Sequence, residues 1–469
     1  MSRQIYLSAL HKSSGKTAVS IGISAALAQQ GVAVQTFKKG PDYIDPGWLT
    51  LASGRPCHNL DFHTMEASEI IQELLRRGGG AEFCLLEGTK GLHDGVDPQG
   101  SDSNAALAGL VGAPVVLVID CRGMSRGIAP LLLGQQAFEP GLNIAGVILN
   151  RVGGARHEAK LRAAVEGYTD IPVLGALPES PSLHIEDPYL GLVPADEQAD
   201  ARAVVQALAA RVRDRIDLAA LQQAGGSLPA ATARKDADRA GTPAPGGRRI
   251  RIAIPHDRAF NFYYPGDLQA LEEAGAELHF FDSLRDTRLP PVDGLFIGGG
   301  FPERHAAALE ANSTLRRQIG LAAAAGMPIY AECGGLIYLA RTIRGPAGTH
   351  AMAGVLPVDV VMEPRPQGRG YVRLAPTGEA PWSPVAPGGC EIPAHEFHYS
   401  RLLQPVPDLP HAYRMVRGEG LGNGWDGLVV GNTVASYAHL RHTRTTPWAS
   451  RFVDFVTSRS VDHAFQTSS

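Results

Sequence analysis

Cys333 stands where an apolar run stops on two glycines, in Met327-Pro-Ile-Tyr-Ala-Glu-Cys-Gly-Gly-Leu336. The run reads as a buried strand, Gly334 and Gly335 tolerate the positive φ of a sharp corner, and Leu336 to Ala340 reads as the start of a helix. A thiol held there, against free amides and the positive end of a helix, has the surroundings of a nucleophile. Such a nucleophile needs an imidazole, brought near by the fold. His439 supplies one, at the end of the strand-like Thr433-Val-Ala-Ser-Tyr-Ala-His-Leu440. A third stretch, Gly294-Leu-Phe-Ile-Gly-Gly-Gly-Phe-Pro-Glu303, reads as strand then turn, and the bare amides of Gly299 and Gly300, with Gly334, suit an oxyanion hole. The plain alternative is that Cys333 is one more small buried hydrophobe.

A second set of residues opens the chain. Gln4 to Ala9 reads as a strand, Leu10-His-Lys-Ser-Ser-Gly-Lys-Thr17 as a loop and Ala18 to Gln29 as a helix. In that order the amides of Ser13, Ser14 and Gly15 would receive the phosphates of ATP, Lys16 would neutralise them, and the Thr17 hydroxyl would ligate Mg²⁺. The first glycine of the G-x-x-x-x-G-K-[ST] pattern is replaced by Leu10. The next strand, Gly31 to Phe37, runs into Lys38-Lys-Gly-Pro-Asp-Tyr-Ile-Asp-Pro46, placing lysines and carboxylates at a strand's carboxyl end, where open α/β sheets bind ligands. Phe83 to Glu87 reads as a further strand whose last residue, Glu87, is a carboxylate beside the phosphate loop and so an expected Mg²⁺ ligand.

The elements that must position these groups follow from periodicity. Ala113 to Asp120 and Asn143 to Asn150 are continuous apolar runs, as parallel strands buried on both faces must be, with a helix over 127–138 between them. Strand and helix alternate to residue 215, predicting a doubly wound α/β domain. Residues 221–249 are rich in Gly, Pro and Ala and read as a flexible linker. The alternation then restarts, so the expected organisation is 1–220, linker 221–249, and a second α/β domain over 250–469.

A chain of 469 residues is too long for one ordinary core, and its 44% hydrophobic and 19% charged residues are globular values. A net charge of -4 argues against nucleic acid as a partner. Five cysteines without a CxxC pair fit a reducing compartment, no run reaches membrane-spanning length, and the N-terminus lacks a signal-peptide core. A cytoplasmic protein is expected, with self-association as a homodimer left open.

Both halves resemble one family. Asp257-Arg-Ala-Phe-Asn-Phe-Tyr-Tyr264, Ile297 to Glu303, Ala331-Glu-Cys-Gly-Gly335, His395-Glu-Phe-His-Tyr-Ser400 and Ala435-Ser-Tyr-Ala-His439 stand in the order of the class I glutamine amidotransferase domain of the cobyrinate a,c-diamide synthase and cobyric acid synthase type. Phe37 to Pro46, Ala52-Ser-Gly-Arg-Pro56, Asn59-Leu-Asp61 and the loop Glu87 to Gly95 are similar to its synthetase domain, a phosphate-loop fold like dethiobiotin synthetase. Val173 to Pro178 and Leu190 to Pro194 extend the likeness. The resemblance implies that Cys333 attacks the amide of L-glutamine with His439 as base. The glutamate of the usual triad is replaced by Arg441, so a Cys-His dyad is expected. It further implies that Lys38 contacts phosphate, that Asp42, Tyr43, Asp45 and Asp94 serve the substrate, Mg²⁺ or an acyl phosphate, and that Asn150 reads the adenine. Lys39, Lys90 and His93 depart from the family's apolar residues, and their roles stay open.

The implied reaction is ATP- and glutamine-dependent amidation of tetrapyrrole carboxylates, first of all the a and c side chains of cobyrinate or hydrogenobyrinate. Siroheme or Ni-sirohydrochlorin is an alternative acceptor, favoured by the altered 89–93 loop. A non-catalytic nucleotide-binding regulator is the alternative from another class. Arg365 and Arg369 could face the acceptor or simply solvent. His395 and His398, three apart on a strand, would point to opposite faces, so a metal pair between them is not expected.

Overall fold

Strands that are apolar at every position must be covered on both faces, and the first half of the chain is built around such strands. The computed structural model describes residues 2–179, 200–228, 249–385, 391–404 and 408–466. Leu190 to Pro194, Cys390 and most of the expected linker lie outside them. The chain divides into two units, Met1–Arg234 and Lys235–Ser469.

In the first unit the strands are β1 (Arg3–Ala9), β2 (Val34–Lys39), β3 (His58–Leu60), β4 (Phe83–Glu87), β5 (Val115–Asp120), β6 (Ile144–Val152), β7 (Val173–Pro178) and β8 (Gly226–Ser227). The helices are α1 (Lys16–Gln29), α2 (Ile44–Ser53), α3 (Ala67–Gly78), α4 (Asn104–Val111), α5 (Ile128–Phe138), α6 (Ala155–Tyr168), α7 (Ala201–Arg215) and α8 (Leu218–Ala224). The sheet order is β3-β2-β4-β1-β5-β6-β7, parallel throughout, with β8 antiparallel to the start of β1. One face is covered by α3 to α6 through Ile70, Leu107, Leu132 and Leu161. The other is covered by α1, α2, α7 and α8 through Ile23, Trp48, Leu208 and Leu221. This is the doubly wound domain expected. Its parallel strands bring Lys38, Glu87, Asp120 and Asn150 to one edge, at or near the carboxyl end of each strand.

The expected linker begins too early. Residues 221–228 belong to the first unit, because Leu221 is fully buried and Gly226 pairs with Gln4. The glycine there is a packing residue, since a Cβ on Gly226 would lie 2.8 Å from the ring of Pro114.

In the second unit the elements run β9 (Ile250–Pro255), α9 (Pro265–Glu273), β10 (Ala276–Phe281), β11 (Gly294–Ile297), α10 (Ala306–Ala311), α11 (Ser313–Ala324), β12 (Ile329–Glu332) and α12 (Gly334–Leu339). They continue as β13 (Thr342–Gly345), β14 (Gly348–Ala351), β15 (Asp359–Met362), β16 (Gly368–Pro376), β17 (Ile392–His398), β18 (Ser400–Leu402), β19 (His411–Arg417), β20 (Trp425–Val430), β21 (Thr433–Ser436) and α13 (Trp448–Gln466). The main sheet is β10-β9-β11-β12-β21-β20-β19-β16-β17, and β14-β13-β15-β18 form a smaller one. The β10 to β21 part is parallel and the rest antiparallel. The parallel core ends its strands on the glycine turn after β11, on Cys333 after β12 and on the His439 segment after β21.

Close approach of α1 to α7 tests this packing. A Cβ on Gly22 would lie 2.5 Å from Val212 and 2.9 Å from the Leu208 carbonyl. Gly22→Ala should therefore destabilise the first unit by about 1–3 kcal/mol. Gly109→Ala, on α4 with nothing within 4 Å of the added Cβ, should be neutral or stabilising by up to about 1 kcal/mol. Denaturant midpoints of the two variants check both signs.

Candidate active sites

The amidase site grows out of the corner after β12. Register pairs Glu332 with Ser436, and the Cys333 amide donates to the Ser436 carbonyl at 2.7 Å, so the chain must turn on the cysteine itself. Cys333 takes φ 47° and ψ −99°, a conformation that costs a non-glycine residue on the order of 1–3 kcal/mol. Gly335 behind it permits the corner, since a Cβ there would meet the Ile297 carbonyl at 2.3 Å. The thiol lies 3.7 Å from the Phe397 carbonyl, in a residue that is buried but for 6% of its surface.

The imidazole of His439 hydrogen-bonds to Cys333. It is held on all sides. His395 stacks on it at 4.8 Å and 13°, its amide donates to the His395 carbonyl at 2.8 Å, and a Cβ on Gly299 would reach its Cε1 at 2.5 Å. Burial opposes its charge, but the hydrogen bonds to Cys333 and Glu332 outweigh burial and push its pKa up to about 10. Gly300 and Gly334 converge beside the thiol: a Cβ on Gly334 would lie 3.0 Å from the Gly300 nitrogen. Gly299 instead backs the imidazole. These contacts bring all five predicted amidase residues to one place.

The expected dyad needs correction. Glu332 Oε2 lies 3.5 Å from His439 Nδ1, so the imidazole has a carboxylate partner supplied by the residue before the nucleophile. Its other oxygen is pinned by the Tyr330 hydroxyl at 2.6 Å and the Leu440 amide at 2.8 Å. Glu332 was missed because the usual acid is sought after the histidine; the available signal was a carboxylate ending a buried strand. Arg441 has a different task. Its guanidinium lies 4.4 Å from the Tyr264 ring centre and its Nε 3.7 Å from Asp267, whose carboxylate also accepts from the His442 amide and the Trp448 indole.

His395 lies on one face of β17 and Glu396 and His398 on the other, as strand alternation requires, with His398 Nε2 3.5 Å from Glu396 Oε2. His395 faces His439. Glu396 accepts from the Glu419 and Gly420 amides at 2.8 and 2.9 Å, and His398 stacks on Tyr437 at 3.8 Å. Arg369 lies 5.9 Å over Phe397, while Arg365 is exposed.

In the first unit, Ser13 and Gly15 both take left-handed φ, 65° and 85°, which curls the loop into a concave set of amides suited to an anion. Leu10 is accommodated because its side chain packs on the core beneath the 88–95 loop. Asn150 braces the curl: its Nδ2 donates to the Ser14 carbonyl at 2.8 Å and lies 2.3 Å from where a Gly15 Cβ would be. This contact uses one N–H of the predicted base reader and leaves the other for a base. Two residues not foreseen complete the brace, Arg151 donating to the Ser13 carbonyl at 2.8 Å and to Asp120 at 2.6 Å.

Lys16 is buried, and burial followed by the Lys38 charge lowers its pKa. Thr17 Oγ1 donates to Glu87 at 2.7 Å and Asp45 at 3.2 Å. Lys38 Nζ lies 2.5 Å from Asp45, 2.8 Å from Glu87 and 3.8 Å from Asp42. Burial opposes the Lys38 charge, yet these carboxylates raise its pKa and in turn Lys38 holds that of Asp45 low. Asp42 is raised, by burial and then by Asp45, while its Oδ1 caps α2 by accepting from Ile44 and Asp45. Glu87 Oε2 is buried without a hydrogen-bond partner. Thr17, Asp45 and Glu87 thus offer hard oxygen donors with one unsatisfied, a set that fits Mg²⁺.

Tyr43 is half-buried at the start of α2. Asp94 is exposed and closes its own loop, accepting from the Gly91 amide at 2.9 Å. Asn104, also unforeseen, ties this loop together through the Thr89 amide and the Thr89 and Gly91 carbonyls. Lys90 is exposed at φ 51°. His93 folds back, edge-on to Phe138 at 4.8 Å and 3.7 Å from Glu139, so it is a packing residue more than a loop-tip group.

Two family models match the chain: the CobB/CobQ-like glutamine amidotransferase domain over residues 251–446 and the CobQ/CobB/MinD/ParA nucleotide binding domain over 11–192. Proteins named cobyrinate a,c-diamide synthase are similar over nearly the whole chain. That of Magnetococcus marinus is 42% identical, covering 95% of this chain and 95% of its own. That of Methanosarcina acetivorans is 38% identical, covering 93% and 92%. That of Syntrophotalea carbinolica is 39% identical, covering 95% and 97%. No helix among the described residues is long and apolar enough to cross a membrane.

Glu332→Gln should lower the His439 pKa from about 10, read by NMR titration of the imidazole. Glutaminase kcat should fall about 10–100-fold with little change in the KM for glutamine. Folding raises this imidazole above its ordinary 6.5, so its contribution to stability is complete below about 6.5 and lost as pH climbs through about 10. In the variant that loss should be smaller and complete at a lower pH, as followed by urea denaturation across the range.

Proposed function

Since the chain belongs to the cobyrinate a,c-diamide synthase family, a family of glutamine-dependent ligases, we propose that it amidates the a and c carboxylates of cobyrinate or hydrogenobyrinate, using ATP, Mg²⁺ and glutamine in the cytoplasm. The observation that carries this reading is the coexistence in one chain of a Cys333–His439 pair and of a phosphate loop facing Lys38, Asp45 and Glu87.

A carboxylate accepts ammonia only after one of its oxygens becomes a leaving group. In the first unit the Ser13 to Gly15 amides and Lys16 would cradle the ATP phosphates. Lys38 would draw the acceptor carboxylate and the γ-phosphate together, the carboxylate oxygen taking the phosphoryl group as ADP leaves. Mg²⁺, when bound to Thr17, Asp45 and Glu87, would offset the charge of the phosphates.

In the second unit the Cys333 sulfur attacks the amide carbon of glutamine, and the Gly300 and Gly334 amides face the oxyanion. His439 gives its proton to the departing ammonia, then takes one from the water that opens the thioester to glutamate. Glu332 keeps the imidazole in its working orientation. Ammonia displaces phosphate from the activated carboxylate, and each cycle exchanges OH for NH₂. The same chemistry on siroheme is a second reading, favoured by the charge that Lys90 adds to the acceptor-side loop.

Mass spectrometry of cobyrinate after incubation with ATP, Mg²⁺ and glutamine tests the reading, with the diamide as the expected product. Cys333→Ala should abolish glutamine-dependent amidation and retain it with free ammonia. Loss of both activities in a folded variant would remove the nucleophile's assigned role, and no product from the wild type would remove the substrate.

A further inference from the structure

Lys39 ends β2 with only 8% of its surface exposed. Strand alternation turns it away from Lys38 and toward the face of Phe37, Leu60 and Leu92. It joins in no hydrogen bond or ion pair among the described residues. Burial, the largest influence, pulls its pKa below 10.5, with the Asp61 and Asp102 charges opposing and Lys90 adding to the fall. The two carboxylates are already engaged with backbone: Asp61 accepts from the His63 amide at 3.0 Å, and Asp102 from Val96 and Asp97 at 2.9–3.0 Å.

A lysine mostly withdrawn from water, with no direct partner for its ammonium, is costly, and a ligand carboxylate reaching its tip would supply the missing charge. The edge on which it sits is the ligand-binding edge of a doubly wound sheet. Lys90 stands on the adjoining loop, close enough for its charge to act on Lys39, exposed and, among the described residues, in no ion pair. A tetrapyrrole bearing several peripheral carboxylates presents one to the phosphate and must be held by others.

We propose that Lys39, with Lys90, forms a subsite for a peripheral carboxylate of the acceptor other than the one being activated. The proposal rests on the amidation reading above. Lys38 and Lys39 thereby divide the work: adjacent in sequence and opposite in direction, one serves the reacting carboxylate and the other a carboxylate that sets the ring's position. Lys90 closes the subsite from the loop side.

The test compares wild type with Lys39→Met and Lys90→Met in steady-state amidation of cobyrinate. Lys39→Met should raise the acceptor KM about tenfold or more, with the ATP KM within about twofold. Lys90→Met should have a smaller effect that fades as salt is raised. Thermal melting confirms that the variants are folded. Equal acceptor KM in Lys39→Met and wild type overturns the subsite and leaves the amidation reading standing. If the wild type does not amidate cobyrinate, that reading fails. The subsite is then decided by binding of sirohydrochlorin, a polycarboxylate ring: tenfold tighter binding to wild type than to Lys39→Met supports it, and anything less overturns it.

Discussion

Buried charge, and the carboxylates that make it tolerable, is the constraint on which both units depend. In the first unit Lys38 is almost wholly removed from water, and it stays charged because Asp45, Glu87 and Asp42 surround it. In the second unit the imidazole of His439 is equally buried, with Glu332 beside it. Burial penalises the charges of Lys38 and His439, and attraction to their neighbours in a medium less polar than water outweighs the penalty. The geometry of each site is therefore also its electrostatic solution. Moving one carboxylate would strand a cation.

The folds supply this arrangement in related ways. Parallel strands all point their carboxyl ends to one edge, so residues remote in sequence arrive together: Thr17 and Lys38 beside Glu87 in one sheet, Cys333 beside His439 in the other. Rigid neighbours then remove the remaining freedom. Asn150 and Arg151 hold the carbonyls of the phosphate loop, and Tyr330 with the Leu440 amide holds Glu332. None of these bracing residues has to touch a reacting atom. Each fixes one that does.

The strained corner at Cys333 has the same logic. A nucleophile that continued the strand would point its sulfur to one packed face of the sheet, and one placed within the helix would point it along the helix surface. Turning at the cysteine itself lifts the sulfur between the two glycine turns. The cost is carried by the Ser436 contact and by Gly335, which lets the following helix lie against Ile297.

The residues that do chemistry, and the strands that end on them, were legible in the chain itself. Glycine next to a nucleophile, a phosphate loop between strand and helix, and carboxylates closing apolar runs are local patterns, set by backbone sterics and by the need to bury whole strands. What the tertiary structure alone decided is which groups face one another. Glu332 took the acid's place that Arg441 vacated, because pairing of β12 with β21 folds the His439 segment back over it. Glycines 225 and 226, read as the beginning of a linker, proved to be where β8 closes onto β1, because their value lies in the space they leave for Pro114 and Gln4. Lys39 turned out to be a buried cation on the face opposite Lys38. A local pattern records what a residue can do. Its partner, its burial and hence its charge depend on residues that only the closed sheet brings within reach.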